Sequence, residues 1–338
     1  MPRQKTIRIL LTALLLSGMS AGAAVVPMKE ASAFGAINGA GQHAEHERIT
    51  RAALGCLPGV TSDGFCFEPI SLNQLAGHVG TFGAVGSPDS DESFDTDAHC
   101  DDADFIAVPG YGQTRARASA YLISCIVHLQ GRFATGITEA DDVLSDGSGA
   151  AAVLPHEVDL SSDCTFVGGV NGRAKCDAME GFGRALHGVQ DFYSHSNWSD
   201  VSDTSKPIGL TNPPGLNMTT ISPLMRLESG SVPSAASIPV NLSTGCFTLL
   251  FGCSKRTEHD DLNKDTGLIN PWTGTASSPT TPRGKVGKNF EQAVHNAIAD
   301  TRRQWADFRA RLRTVYGAER GRKIACVLTS DSPVQSCT

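Results

Sequence analysis

The stretch ALHGVQDFYSHSNW, residues 185–198, decides how the chain can fold. It places His187, Asp191 and His195 at intervals of four residues. An α-helix turns once in about 3.6 residues, so all three side chains would lie on one face. Apolar residues recur around them at helical spacing and can bury a neighbouring face: Met179, Phe182, Leu186, Val189 and Phe192. Two imidazoles and a carboxylate in one stripe favour a divalent transition metal, most often zinc, over a polar face that meets a core or water.

The same stretch resembles the signature of Het-C-type proteins, in the form Leu-His-x-x-Gln-Asp-Phe-Tyr-Ser-His-Ser-Asn-Trp. The N-terminal region of those proteins is similar to the zinc-dependent phospholipases C and to the related single-strand nucleases. The resemblance implies an all-α fold: a single multi-helix domain of the zinc phospholipase C type with long, disulfide-braced loops. It also implies a cluster of two or three zinc ions.

A histidine-bearing segment near the start of the chain, HAEHERITRAAL at residues 43–54, favours a helix because its apolar residues fall on one side. The order of His46, Ile49 and Thr50 resembles the first helix of the same families, where a histidine near the N-terminus binds metal. The alternative is a surface helix with its imidazole in water. Between His43 and His46, the spacing to Ile49 and Thr50 favours His46.

Residues 83–105 form an acidic loop. A calcium loop of the helix-loop-helix kind does not fit, because Phe94 stands at the sixth position from Asp89, where the turn needs glycine. Pro88-Asp89 followed by His99 resembles a pair in the phospholipase C family, a Pro-Asp with a metal-binding histidine further along. We therefore expect Asp89 and His99 to bind metal, with the neighbouring acids as alternatives to Asp89.

The segment EHDDLNKD, residues 258–265, again resembles the Het-C pattern. The phospholipase C family holds His-x-x-x-Glu at the corresponding place, which gives two ligands one helical turn apart. Here His259 is followed by Asn263 in place of the glutamate. Asparagine is a poor zinc ligand, so we expect Asp265 or a water molecule to substitute.

By resemblance, these residues make up three metal positions. The first would be held by Asp89, His99, His187 and Asp191. The second would be held by His195 and His259, with an acid such as Asp265 or a water. The third would be held by His46, Asp191 and the amino group and carbonyl of Phe34, if Phe34 becomes the N-terminus of the mature protein.

Residues 1–33 are typical of a secretory signal, since basic residues lead into the apolar run of residues 7–16. That run is too short to cross a bilayer, which needs roughly 20 apolar residues. Cleavage after Ala23 and cleavage after Ala33 both fit the small-x-small rule, and only the second exposes Phe34. We expect a secreted protein with no transmembrane segment, whose one domain covers residues 34–338.

The ten cysteines are even in number and include no Cys-x-x-Cys. In an exported protein this pattern predicts disulfides rather than zinc ligands. The sequence does not fix the connectivity, and pairing of neighbours is the simplest expectation: Cys56–Cys66, Cys100–Cys125, Cys164–Cys176, Cys246–Cys253 and Cys326–Cys337.

The remaining pattern predicts three long helices, at about residues 114–134, 173–196 and 286–322, and a surface loop over residues 200–242. His128 and His295 neighbour apolar residues and are expected to be packed side chains rather than ligands.

The formal net charge is −7, and removal of the basic leader would lower it to −10, since Arg3, Lys5 and Arg8 leave while Lys29 and Glu30 cancel. Such a chain is not suited to nonspecific binding of polyanions, which makes nucleic acid a less favoured partner than a phospholipid or membrane surface.

The resulting expectation is a secreted, zinc-dependent, phospholipase C-like hydrolase that uses metal-activated water, with Asp89 as base or water-orienting group. The alternative is a catalytically weak or inactive metal-binding protein of the Het-C kind, which acts in self-recognition or cell death by binding membranes or partners.

Overall fold

The computed structural model describes residues 34–36, 38–39, 42–146, 151–166, 172–248 and 253–337. The predicted signal, residues 1–33, lies outside these ranges. From Phe34 onward the described residues belong to one compact unit. This unit is mostly helical, which confirms the all-α class.

Five long helices carry most of the core, and short helical turns lie between them. In chain order the helices are α1 Glu45–Leu54, α2 Pro69–Ala76, α3 Gly83–Gly86, α4 Pro88–Asp91, α5 Thr96–His99, α6 Arg115–Glu139, α7 Ala174–His195, α8 His259–Leu262, α9 Asn289–Tyr316, α10 Ala318–Thr329 and α11 Pro333–Ser336. The strands are two short antiparallel pairs: β1 Asn38–Gly39 with β2 Gln42–His43, and β3 Leu268–Ile269 with β4 Ala276–Ser277. In the part of the chain described, no helix is both long and apolar enough to cross a membrane.

Helix α7 is the centre of the fold, and it is buried on nearly every side rather than on one face. It crosses α6 where Gly181 meets Gly136, and a Cβ added at Gly181 would lie 2.4 Å from the Gly136 nitrogen. Phe182 of α7 packs on Phe308 of α9 with ring centroids 4.7 Å apart. Burial of each such ring contributes roughly 1.5–3 kcal/mol, so this crossing fixes the position of the histidines on α7.

The predicted bounds of α7 differ from the observed ones by one residue at each end, but the other two long helices needed correction. Helix α6 begins after Thr114, whose hydroxyl accepts from the Arg117 backbone N–H, and it continues to Glu139. The predicted final helix is two helices, α9 and α10, because Gly317 separates them with φ of 87°. A positive φ of this kind is readily adopted only by glycine, so the chain turns there.

All five disulfides join the neighbours expected from the sequence. They are Cys56–Cys66, Cys100–Cys125, Cys164–Cys176, Cys246–Cys253 and Cys326–Cys337. Five disulfides in one chain fit an oxidising compartment and a secreted protein.

The loop at residues 200–242 contains only short 3-10 turns, and a buried ionic group at its start holds it to the body. Asp200 accepts from Arg283 through Nε at 2.8 Å and from Lys264 Nζ at 3.2 Å. The expectation of a packed side chain was wrong for His295, which is exposed at the edge of its helix's apolar stripe, whereas His128 is partly buried.

Candidate metal centre

Asp191 is the centre of a first cluster, which we call cluster 1 and define as His46, Asp89, His99, His187 and Asp191. The Asp191 side chain is fully buried. Its Oδ1 lies 3.1 Å from His46 Nε2, and its Oδ2 lies 2.9 Å from His187 Nε2 and 3.0 Å from His99 Nδ1. Three imidazoles from α1, α5 and α7 therefore converge on one carboxylate.

The imidazoles of cluster 1 are oriented by neutral groups on their far sides. His187 Nδ1 donates to the Val85 carbonyl at 2.9 Å. His46 Nδ1 lies 2.7 Å from Gln190 Oε1, and the Gln190 amide donates to two threonine hydroxyls, which fixes its oxygen toward His46. When one nitrogen of a neutral imidazole is held as a donor in this way, the other nitrogen carries a free lone pair. This is the form in which histidine binds metal.

Two of these atoms have no hydrogen-bond partner among the described residues. His46 Nε2 and Asp191 Oδ1 are both buried, and they face one another. Because buried polar atoms in proteins are nearly always paired, this nitrogen and this carboxylate oxygen indicate that a proton or a cation lies between them.

The charges of cluster 1 are strongly coupled. Burial works to raise the pKa of Asp191, but His187 and His46 outweigh it and hold that pKa well below its ordinary value. Burial works to lower the pKa of His46, but Asp191 outweighs it, so the pKa of His46 is raised. The pKa of His187 is lowered by burial, which Asp191 only partly offsets. His187 therefore stays neutral most readily, as a ligand must.

Asp89 lies at the open side of cluster 1. Its Oδ1 is 3.7 Å from His187 Nε2, and its side chain is 18 % exposed, whereas the other members are almost fully buried. It stands at the start of α4, directly after Pro88, and its carboxylate lies near His99 and His187. These three residues offer ligand atoms within 4.8 Å of one another, as do His46, His187 and Asp191.

A second group, which we call cluster 2, consists of Asp101, His195 and His259, whose ligand atoms also lie within 4.8 Å of one another. The two imidazole rings meet edge to face with centroids 4.2 Å apart. His195 Nδ1 is 3.3 Å from Asp101 Oδ1, and its Nε2 is 3.2 Å from Asp265 Oδ1. The structure thus brings His195 and His259 together as the sequence suggested, but it places Asp265 at the other ring nitrogen of His195 and adds Asp101.

Sequence reasoning missed Asp101 because the acidic loop offers many carboxylates with the same signal. What distinguishes these carboxylates is that arginines from other parts of the fold pair with some of them. Arg184 pairs with Asp91 at 2.7 Å, and Arg256 pairs with Asp102 at 3.0 Å. Asp101 follows His99 by two residues, which is the only signal in the sequence that could have found it.

One further acidic group does not qualify as a metal site. Asp102 and Asp104 lie near Cys246, but that cysteine forms a disulfide with Cys253. Arg256 also contacts both carboxylates and neutralises their charge.

Phe34 lies beside cluster 1. Its ring is fully buried and meets the His46 ring edge to face at 5.9 Å. Glu45 holds this segment, since its carboxylate accepts from the backbone N–H groups of Gly35, His43 and Gly267. The metal contact of a free Phe34 amino group stays a prediction, because cleavage concerns residues outside the described ranges.

A narrow cleft joins the two clusters. It is lined by Asp89, Ser93, His99, Asp101, His195, Phe247 and His259. The cleft has a free volume of about 10 Å³, which is roughly enough for one water molecule. A larger cavity of about 200 Å³ lies beside Gln74, Phe82 and Asp163. Three imidazoles and the unpaired Asp101 oxygen line the smaller one, which makes it the candidate site.

No known family, no curated protein and no solved structure matches this chain. The likeness to the Het-C and phospholipase C group therefore depends on the sequence motifs alone.

Proposed function

We propose that this protein is a secreted, zinc-dependent phosphodiester hydrolase of the phospholipase C kind. The observation that carries the proposal is the pairing of His46 Nε2 with Asp191 Oδ1. Both atoms are buried, 3.1 Å apart and without a hydrogen-bond partner among the described residues. A protein gains nothing from two such atoms facing each other unless a proton or a cation lies between them.

The donor set favours zinc over the other common divalent ions. Both clusters combine neutral imidazole nitrogens with carboxylate oxygens, whereas calcium and magnesium take oxygen ligands almost entirely. Cluster 1 has five potential ligands and can serve two positions, and cluster 2 serves one more. Two or three zinc ions per chain are therefore expected.

Zinc, when bound, lowers the pKa of a coordinated water toward about 7 and neutralises charge on phosphate oxygens. The protein's own contribution is to hold the reacting groups in place. Asp89 is the partly exposed carboxylate of the cleft, so it can accept a proton from a water there. The buried imidazoles keep bulk water out and fix the geometry around Asp191.

The substrate we propose is a phospholipid headgroup ester. The chain carries a net charge of −7, which opposes nonspecific attraction of nucleic acid. Phe247 lines the cleft and lies edge to face with His259 at 6.1 Å, so one wall of the cleft is apolar. An apolar wall beside phosphate-binding groups suits a substrate with a lipid portion.

The second candidate is a metal-binding protein without catalysis, acting on a membrane or a partner. The observation that favours it is the size of the cleft, with room for about one water molecule. In this case the metal would stabilise the fold, and the surrounding surface would do the binding.

The first test is elemental analysis of the protein purified from the secreted fraction, followed by assays on phosphatidylcholine and single-stranded DNA. We expect two or three zinc ions and release of a phosphorylated headgroup. Asp89→Asn should lower kcat by about 10²–10⁴-fold. Asp95→Asn is the matched control, since Asp95 lies in the same loop and caps α5 as asparagine also can.

The zinc content of Asp89→Asn then separates its two roles. Full zinc content with lost activity identifies a base, and the loss of one ion identifies a ligand. A zinc-loaded wild-type protein that hydrolyses neither substrate would overturn the hydrolase proposal in favour of the binding protein.

A further inference from the structure

The atoms of cluster 2 lack partners to an unusual degree. His195 Nδ1 and Asp101 Oδ1 are both buried and lie 3.3 Å apart, and neither makes a hydrogen bond within the described chain. His195 is 1 % exposed and Asp101 is 5 % exposed, so bulk water does not reach these atoms. Such groups in a native protein indicate a bound ion at the point where they converge.

Asp101 is turned into this space by its own backbone. The residues on either side, Cys100 and Asp102, have positive φ values of 57° and 65°. Non-glycine residues rarely adopt this conformation, and it persists only where the surroundings enforce it. Here the disulfide to Cys125 holds Cys100, and Arg256 holds Asp102. The carboxylate between them is left to face His195.

Asp265 meets His195 from the opposite ring nitrogen. Its Oδ1 is 3.2 Å from Nε2, while Asp101 Oδ1 is 3.3 Å from Nδ1. Asp265 Oδ1 also accepts from the hydroxyl of Ser194, which lies next to His195 on α7. A carboxylate behind a histidine orients the ring and raises its basicity without touching the metal.

Asn263 has a structural part in this arrangement. Its side-chain oxygen accepts from the Asp265 backbone N–H at 2.9 Å. The amide therefore closes the turn that places the Asp265 carboxylate behind His195. The departure from the glutamate of the resembling families is then compensated from another part of the chain.

We propose that Asp101, His195 and His259 bind a divalent transition metal of the zinc class, and that Asp265 is a positioning residue for His195. The carboxylate ligand thus comes from the loop after α5 instead of from α8. The choice of zinc rests on the proposed function, but the ligand set rests on the geometry of cluster 2 alone.

The test counts zinc in the full secreted protein after dialysis against a zinc buffer, with a chelator competition to measure affinity. Asp101→Asn and His259→Gln should each lose one zinc ion relative to wild type. The double variant should also lose only one, because both residues serve the same ion. Asp265→Asn should keep every ion but bind one of them about 10–100-fold more weakly. Asp95→Asn, from the same acidic loop, should match wild type.

Cobalt substitution adds a readout that a purely structural role would not move. The visible bands of the cobalt protein should change in Asp265→Asn while the ion count stays the same, because the donor strength of His195 changes. Circular dichroism in the presence of chelator checks that each variant is folded. If Asp101→Asn misfolds, His259→Gln and Asp265→Asn still test the site.

Three results would overturn the inference. These are an unchanged zinc content in Asp101→Asn, the loss of two ions in the double variant, and the loss of a whole ion in Asp265→Asn. The zinc count is independent of turnover. A wild-type protein that hydrolyses phospholipid while Asp101→Asn keeps all its zinc would contradict this inference alone. Normal zinc losses without any hydrolysis would contradict only the proposed function.

Discussion

The two clusters have similar donors but are built on different kinds of structure. In cluster 1, His46, His187 and Asp191 lie on the long helices α1 and α7, and neutral groups orient the imidazoles. In cluster 2 only His195 lies on a long helix. Asp101 follows the four-residue helix α5, and His259 begins the four-residue helix α8. Cluster 1 is therefore held by helix packing, and cluster 2 by local crosslinks.

The local crosslinks of cluster 2 can be identified from the structure. The backbone N–H of His259 donates to the Cys246 carbonyl at 2.9 Å, and Cys246 is joined to Cys253. A Cβ at Gly245 would lie 2.3 Å from the His259 Cα, so only glycine allows this approach. Cluster 2 should accordingly be more sensitive to disulfide loss, and cluster 1 to changes in its buried charge.

The largest effect is expected for Asp191→Asn. This change removes the carboxylate that three imidazoles share, and a broken buried ion pair typically costs on the order of 3–5 kcal/mol. Thermal unfolding after chelation should show the loss, and zinc analysis should show that cluster 1 has lost its metal. Asp95→Asn supplies the control for a removed charge. A stability equal to wild type would mean that Asp191 is not the electrostatic centre of cluster 1.

Removal of the Cys100–Cys125 disulfide should have the next largest effect. Cys100 lies between His99 of cluster 1 and Asp101 of cluster 2, so replacement of both cysteines by serine should reduce the zinc content of both. Removal of Cys326–Cys337, which closes the C-terminal tail, is the matched control. Each change should cost on the order of 2–4 kcal/mol of unfolding free energy. Zinc content, measured by elemental analysis, separates them, and equal zinc in both variants would contradict the role given to Cys100.

The contrast also explains what the sequence could predict. The candidate ligands of α7 were found by their four-residue spacing, because a helix converts spacing directly into a shared face. Asp101 was missed because its selection depends on Arg184 and Arg256, which lie far along the chain and pair with the competing acids. Disulfide neighbours were predicted because short loops favour local pairing. The break at Gly317 was missed because glycine inside an apolar stripe does not by itself end a helix.

A smaller effect, which depends on pH, is expected from Glu45, whose carboxylate holds the segment beside cluster 1. Burial raises the pKa of Glu45 from 4.5 to about 7. The folded protein then binds more protons than the unfolded chain between these values, so Glu45's contribution to stability is present below pH 4.5 and is lost as the pH rises to about 7. The loss is up to about 3 kcal/mol by the usual conversion of pKa to free energy.

Glu45→Gln should remove this part of the pH dependence in the chelated protein, as measured by urea unfolding at several pH values. Glu47→Gln is the control, since Glu47 lies on the same helix and pairs with Arg51 near the surface. If the unfolding free energy of Glu45→Gln changed with pH as steeply as that of wild type, Glu45 would not titrate in this range.

The smallest effect is expected for Asn263→Asp, which restores an acid at the place where the resembling families have glutamate. Because Asn263 accepts from the Asp265 backbone N–H, an aspartate oxygen can accept the same bond and keep the turn. Zinc affinity should change by less than about 0.5 kcal/mol, or roughly twofold, if Asp101 already supplies the carboxylate of cluster 2. A chelator titration measures the difference. An affinity gain of about tenfold or more would place residue 263 within reach of the metal. Cluster 2 would then resemble cluster 1, in which helices supply the ligands.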